Sequence, residues 1–236
     1  MNAATFGNII RKYQHTFHRV VDFIPGTDHL LPLDFTQQNT ELTAEILSDE
    51  HIFSDYIQRK LQTTNSRYGI GGYAENRTIY SISSVFDGAQ PNEEPRRLHL
   101  GVDIWGPAGT NVYAFMGGMI HSFAFNDQYG DYGATLILLH QLDGFAFYTL
   151  YGHLSVRDIQ TLSAGQYVSI GQTIAHFGEL HENGHWPPHL HFQIILDMEL
   201  KEGDYPGVCK NSEREKYLAN CPDPNLILQL DRYIKE

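Results

Sequence analysis

Cysteine and positive charge are both scarce in this 236-residue chain. The only thiols are Cys209 and Cys221, and 16 lysines and arginines stand against 28 aspartates and glutamates. So few cysteines argue against a closed structural zinc site, which generally uses thiolates, and whether the two form a disulfide or stay reduced is open. The net charge of −12 disfavours nucleic acid or an anionic membrane surface as the main partner, because both would repel the protein.

Long apolar runs are missing as well. Arg, Lys, Gln and His interrupt the first 23 residues, which therefore predict neither a signal peptide nor a membrane-inserted segment. We expect a cytoplasmic protein, with an extracytoplasmic location as the alternative if the sequence had been trimmed or export were non-standard. The hydrophobic content of 42% is typical of a globular chain, and the oligomeric state is left open.

Apolar patterning divides the chain into three predicted regions. Residues 1–67 predict a helical N-terminal extension with a break near Asp49 and a turn and connector at "PGTDHLLPLD". Residues 68–200 contain short β-type runs, from "RTIYSIS" to "HLHFQIIL", which predict an antiparallel β domain. Residues 201–236 predict a tail of short helices packed on that domain. The expected fold class is mainly β, and α+β overall.

Two zinc-site spellings overlap in "GELHENGHWPPHLHF", residues 178–192. The first, H-E-x-x-H at His181, Glu182 and His185, works only on a helix, where residues four apart share a face. Its spacer is Asn-Gly, a glycine precedes it and two prolines follow, and these residues break helices. We therefore interpret "HENGH" as a loop and not as a metal site.

The second spelling, H-x-H at His189 and His191, suits a strand, where alternate side chains share a face. By itself the spelling would favour an exposed histidine pair on a strand edge over a metal site. "HLGVDIW" adds His99 and Asp103 at an even spacing in another extended segment, and "YGHLS" adds His153. Two histidines and a carboxylate, with a fourth position for water, are the composition of a catalytic zinc site.

"HLGVD", "YGHLS" and "PHLHF", in this order, resemble the motifs of the lysostaphin-type (LytM-type) zinc endopeptidases, bacterial cell-wall hydrolases. The resemblance implies a compact sandwich of antiparallel sheets, the duplicated hybrid motif fold, with one zinc ion per chain. It further implies that His99, Asp103 and His191 ligate zinc, whereas His153 and His189 lie beside the metal as catalytic residues.

The resemblance also implies a function, the hydrolysis of peptide bonds in peptidoglycan-type or other short peptides by a zinc-activated water assisted by two histidines. One alternative is a non-catalytic metal-binding or regulatory domain on the same scaffold, and another is a cytoplasmic zinc amidohydrolase acting on a small amide. Candidates for the wall of the substrate groove are Tyr151, His185 and Trp186.

Some features depart from the usual family pattern. The loop before H-x-H is bulkier, and Gln193 stands where glutamate is frequent, which bears on the surroundings of the ligands. The wider pattern, including "GGYAENRTIYSISSVF" and "HWPPHLHFQIILD", resembles the peptidase-like module between a kinase-like phosphotransferase module and a class III aminotransferase module in some large proteins. That resemblance fits an intracellular setting and leaves open a substrate other than peptidoglycan.

Overall fold

The computed structural model describes residues 3–88, 90 and 93–234. Its α-helices are α1 (Ala3–Tyr13), α2 (Ala44–Ser48), α3 (Glu50–Thr63), α4 (Val156–Ile159), α5 (Arg214–Asn220) and α6 (Asn225–Leu228). Its strands are β1 (Leu30–Leu33), β2 (Tyr68–Gly71), β3 (Arg96–His99), β4 (Val102–Trp105), β5 (Asn111–Tyr113), β6 (Gly118–Asn126), β7 (Gly133–Leu142), β8 (Phe145–Leu154), β9 (Tyr167–Val168), β10 (Thr173–His176), β11 (His189–Ile195) and β12 (Val208–Lys210).

One eight-stranded sheet forms the centre of the fold, in the order β1-β2-β4-β11-β8-β7-β6-β9. Neighbouring strands in it are antiparallel except β1 and β2, which are parallel. β5 pairs with β10 and β3 pairs with β12 in two small antiparallel sheets. The hairpin between β7 and β8 turns at Asp143 and Gly144, and both have the positive φ that tight two-residue turns require.

The central sheet is buried on both faces. Alternate residues of β11 point to opposite sides, so that Leu190, Phe192 and Ile194 enter the larger core cluster while Ile195 enters a different one. The larger cluster also contains side chains of α1, α6 and the β5–β10 pair. The cluster on the other side contains side chains of β3 and β12, with α5 packed against it. A recess lies on the side of β3 and β12, and polar side chains of β11 contribute to its lining.

The mainly β fold with helices near both ends is confirmed. The predicted break at Asp49 is also present, because its carboxylate accepts hydrogen bonds from the N–H groups of His51 and Ile52 and thereby caps α3. The division at 67/68 and 200/201 stays a prediction.

Two local predictions are wrong. The connector "PGTDHLLPLD" contains β1, which pairs with β2 and so extends the central sheet into the region predicted to be helical. "RTIYSIS", predicted as a strand, contains a 3₁₀ helix at Ile79–Ile82 instead. Ile79 and Tyr80 are consecutive, and both are buried in one cluster. A helical turn allows this, whereas consecutive side chains of a strand point to opposite faces.

The structure also describes the two cysteines and the lengths of the helices. Cys209 and Cys221 are free thiols, both buried, and burial raises the pKa of the first to about 11 and of the second to about 12. Across residues 3–88, 90 and 93–234, every helix is too short or too polar to cross a membrane.

His140 of β7 is a buried histidine that the fold accommodates in its neutral form. Its Nδ1 lies 3.0 Å from the Gly117 carbonyl oxygen and its Nε2 lies 2.8 Å from the Thr149 hydroxyl. Burial lowers the pKa of His140 from 6.5 to about 4. Because the unfolded chain takes up a proton there first, the contribution of His140 to stability is complete above pH 6.5 and is lost as the pH falls toward 4, by roughly 3 kcal/mol.

We expect His140→Gln, which can keep a hydrogen bond but cannot titrate, to show a weaker loss of stability in acid than the wild type. Urea unfolding at pH 7 and pH 4.5 measures the free energy of unfolding of both proteins. The drop between the two pH values should be smaller in the variant by about 2 kcal/mol. An equal drop in both proteins would contradict this role of His140.

Candidate metal centre

The site begins with three strands in register at the centre of the sheet. His191 of β11 lies opposite Asp103 of β4 on one side and opposite Gly152 of β8 on the other. His189 lies opposite Trp105, and the two rings stack with their centroids 3.8 Å apart. Directly opposite residues share a face, so strand pairing brings the H-x-H pair and Asp103 together.

His99 reaches the same point from a different sheet. It ends β3, whereas Asp103 lies in β4, and the chain bends between them at Leu100 and Gly101. The predicted extended segment is therefore two strands, although its two polar side chains do meet. Gly101 lies against the ring of His191, since an added Cβ would be 2.4 Å from its Cε1. Only glycine allows this close approach of the backbone.

Three potential ligand atoms converge. His99 Nε2 lies 3.2 Å and His191 Nδ1 lies 3.0 Å from Asp103 Oδ1, and the two nitrogens are 3.0 Å apart. All three side chains are buried. In the part of the chain that the structure describes, this is the only group of three or more His, Cys, Asp or Glu side chains arranged to hold a metal ion.

The nitrogens of His99 and His191 that point away from Asp103 make hydrogen bonds, and these determine the protonation of the inner nitrogens, which point toward it. His99 Nδ1 lies 2.8 Å from the Gly72 carbonyl oxygen, and His191 Nε2 lies 2.9 Å from Gln193 Oε1. The Gln193 amide is oriented by its donation to the Pro206 carbonyl oxygen. Each outer nitrogen therefore carries the ring proton, and each inner nitrogen presents a lone pair.

Two ring lone pairs and a carboxylate oxygen at these distances repel one another unless a cation lies between them. Imidazole nitrogen and carboxylate oxygen are ordinary zinc ligands, so this donor set fits a zinc ion. Gln193, which departs from the usual glutamate, still supplies the acceptor that orients His191.

The local charges keep the donors in their metal-binding forms. Burial, and then the positive charge of Arg77, lowers the pKa of His99 to about 4. Burial by itself would raise the pKa of Asp103, but His99 and Arg77 hold it well below its usual range. At neutral pH this imidazole is neutral and this carboxyl is ionised, as metal binding requires.

His153 and His189 lie beside the three donors. Their ring centroids are 4.0 Å apart, and the His153 ring is 6.3 Å from that of His191. His153 Nδ1 lies 2.7 Å from the Asn183 carbonyl oxygen, and His189 Nδ1 lies 2.8 Å from that of Pro187. Each Nδ1 therefore donates its proton to the backbone, and each Nε2 is left as the basic nitrogen.

Burial also lowers the pKa of His189 to about 4 and that of His153 well below its usual range. His153 has a φ of 61°, a left-handed conformation that costs a residue other than glycine on the order of 1–3 kcal/mol. Its N–H donates to the Tyr132 carbonyl oxygen, which helps to hold this conformation. The strained backbone turns the imidazole toward His189.

The H-E-x-x-H spelling forms no helix of the kind that such a site needs. Leu180–Glu182 is one turn of 3₁₀ helix, and His185 has a φ of 67°. Glu182 accepts hydrogen bonds from the N–H groups of Glu179 and Val156, so it fixes the loop and the beginning of α4. The loop interpretation of this segment agrees with the structure.

A cavity of about 300 Å³ lies next to these side chains. Four of the five predicted site residues contribute to its lining, together with six aromatic residues: Asp103, His153, His189, His191, Tyr80, Phe86, Trp105, Tyr132, Trp186 and Tyr205.

The three groove candidates have different positions. Trp186 lies in the cavity lining and is 3% exposed. His185 lies outside the lining, and its Nδ1 is 2.6 Å from Glu50 Oε2. Tyr151 is a correction to the prediction, because it is fully buried in the larger core cluster. It precedes Gly152 on β8, and strand alternation therefore points it to the face opposite the site.

Three residues around the site were not predicted from the sequence motifs. Trp105 follows Asp103 by two residues on β4, and this even spacing is the one signal that sequence offers for it. Tyr132, just before β7, places its ring 5.1 Å from that of His191. Arg77 donates to Asp103 Oδ2 at 2.5 Å from 26 residues earlier in the chain, a separation that no local pattern reveals.

We expect Gly101→Ala to weaken zinc binding, because the new methyl group would displace the His191 ring or the backbone near it. A strain of about 1–3 kcal/mol corresponds to a loss of roughly 5- to 150-fold in affinity, measurable by competition with a chelator. Gly7→Ala is the control, since Gly7 lies in α1, which packs on the larger core cluster, and its Cβ would meet only the end of the Arg11 side chain, at 3.3 Å. Equal affinities of the two variants would contradict the close approach at Gly101.

Comparison with known proteins agrees with this geometry. Residues 97–202 match the model of Peptidase family M23. Over 182 residues the chain is 27% identical to the peptidoglycan DD-endopeptidase ShyC of Vibrio cholerae, and the match covers 73% of this chain and 36% of that protein. The chain thus spans about a third of the length of this curated relative.

Two solved structures are also similar to parts of the chain. A zinc-containing peptidase from Vibrio cholerae is 29% identical, with 42% of this chain and 27% of that chain covered and a TM-score of 0.34. Lysostaphin, an antimicrobial peptidase from Staphylococcus simulans, is 28% identical, with 59% and 46% covered and a TM-score of 0.39.

The family match includes all five motif residues, from His99 to His191. It confirms the resemblance that the three motifs indicate, and together with the buried donor set it confirms zinc as the cofactor. Residues 97–202 are therefore similar to the metallopeptidase domains of Peptidase family M23.

Proposed function

We propose that the protein is a zinc-dependent metalloendopeptidase that hydrolyses peptide bonds in peptidoglycan-type or other short peptides. The observation that carries this proposal is the convergence of three lone-pair donors beside two neutral histidines at one cavity. The M23 match over the same residues supports the reaction class. The name of the Vibrio cholerae relative, a peptidoglycan DD-endopeptidase, supports the substrate class.

In this proposal His99, Asp103 and His191 hold the metal. A zinc ion in such a site supplies a water of lowered pKa and polarises the carbonyl of the scissile bond. Three protein ligands, with a fourth position for water, distinguish catalytic zinc sites from closed structural ones.

His153 and His189 are proposed to move the protons. Each offers Nε2 as its basic atom, because the backbone fixes the proton of the other nitrogen. One ring takes a proton from the attacking water and then carries a positive charge, which stabilises the developing oxyanion. The same proton can pass to the leaving amine. Stacking against Trp105 holds the plane of the His189 ring during these transfers.

The size of the cavity favours a second candidate, a zinc amidohydrolase acting on a small amide. The five motif side chains are between 0% and 5% exposed, and a volume of about 300 Å³ lies at the small end of ligand pockets. A cross-linked polymer needs room on both sides of the scissile bond, whereas a short substrate needs only a small recess.

Substrate length separates the two candidates. The zinc-loaded protein would be incubated with intact cross-linked sacculi, soluble cross-linked muropeptides and a panel of small amides, and products followed by mass spectrometry. Cleavage of the muropeptides supports the endopeptidase. Turnover confined to the small amides favours the amidohydrolase, and intact zinc binding without cleavage of any substrate counts against both.

We expect His153→Ala to retain zinc and to lose a factor of about 10²–10⁴ in kcat, because it removes a proton-transfer group and leaves the three donors in place. Release of free amine from purified cross-linked muropeptides measures activity, and metal analysis measures zinc content. His181→Ala is the matched control, since His181 is an exposed histidine of the H-E-x-x-H spelling and should leave activity unchanged. Full activity in His153→Ala would contradict the proposed role.

A further inference from the structure

Arg77 is a buried arginine behind the metal centre, in the loop between β2 and β3, and is 1% exposed. Its Nη1 donates to Asp103 Oδ2 at 2.5 Å and to the Tyr80 hydroxyl at 3.2 Å. Its Nε donates to Glu75 Oε2 at 2.7 Å, and its Nη2 donates to the Gly72 carbonyl oxygen at 3.1 Å. Every nitrogen of the guanidinium group therefore has a partner.

These bonds give the two oxygens of Asp103 different tasks. Oδ2 accepts from Arg77, whereas Oδ1 lies within 3.2 Å of His99 Nε2 and 3.0 Å of His191 Nδ1. A carboxylate with both oxygens free can bind a metal ion through one or through both. Because the charge-assisted bond to Arg77 occupies Oδ2, only Oδ1 is directed at the other donors.

The guanidinium group is itself fixed from several directions. It lies over the Phe35 ring, 5.1 Å from the centroid, and a Cβ on Gly71 would be 2.7 Å from its Nη2. The Gly72 carbonyl oxygen that it contacts also accepts from His99 Nδ1. One backbone carbonyl therefore orients both Arg77 and a donor of the metal centre.

We propose that Arg77 is a positioning residue that restricts Asp103 to binding the metal through one oxygen. The inference rests on the proposed zinc site and adds a determinant of its coordination number. Lysine would not replace arginine here, because an ammonium group is a point charge without the planar fork that reaches Asp103, Glu75 and Gly72 together.

The test uses the full-length protein, stripped of metal and reconstituted with Zn²⁺ or with Co²⁺ as a visible probe. We expect Arg77→Lys and Arg77→Met to bind Zn²⁺ about 10- to 100-fold more weakly than the wild type, measured by chelator competition. Their Co²⁺ forms should absorb visible light more weakly, because a second carboxylate oxygen raises the coordination number and higher-coordinate Co²⁺ absorbs less.

Arg67→Lys is the matched control. It makes the same replacement in an arginine that pairs with Asp28 and lies outside the cavity lining, so its Zn²⁺ affinity and Co²⁺ spectrum should match the wild type. If Arg77→Met fails to fold because it leaves buried carboxylates without a counter-charge, Arg77→Lys, which keeps the charge, still decides the question.

The outcomes separate the two proposals. Wild-type affinity and spectrum in folded Arg77→Lys would overturn the role of Arg77, and so would equal changes in Arg67→Lys. A wild-type protein that binds neither metal would overturn the zinc site itself, and with it the proposed function.

Discussion

The register of three antiparallel strands is the constraint on which the metal centre depends. Pairing places Asp103, His191 and Gly152 side by side across β4, β11 and β8. Because side chains alternate strictly along a strand, a shift of one residue in β11 would turn its histidines into the apolar core and its leucine and phenylalanine into the cavity. The apolar side chains that fill the core therefore also fix the position of the metal-binding side chains.

Backbone carbonyl groups determine the tautomers of the histidines at this site. Those of Gly72, Asn183 and Pro187 accept from the outer nitrogens of three histidines and so determine which nitrogen of each ring is basic. Because the three histidine side chains are buried, such fixed acceptors act more strongly than they would in solvent. The left-handed backbone of His153 is part of the same arrangement, since it aims one of these rings at the other.

Sequence predicts those parts of the fold and site that depend on local pattern. Strand alternation predicts that Leu190 and Phe192 face the core while the flanking histidines face away, and helix-breaking residues exclude the H-E-x-x-H site. The same alternation along β8 predicts that Tyr151, next to Gly152, faces the core and not the groove. The 3₁₀ helix at Ile79–Ile82 and the pairing of β1 with β2 depend on distant partners, and short apolar runs do not specify these.

The sequence by itself determined the five motif residues, the zinc-binding chemistry and the mainly β character, because residue type and spacing are local properties. Only the tertiary structure decided which atoms face one another. It placed His99 in a separate small sheet that meets β4 beside Gly101, and it put Arg77 on the second oxygen of Asp103. It also placed the centre beside a recess of about 300 Å³. Such features arise where segments far apart in the chain pack together, and no periodicity within one segment encodes which distant segment will be its neighbour.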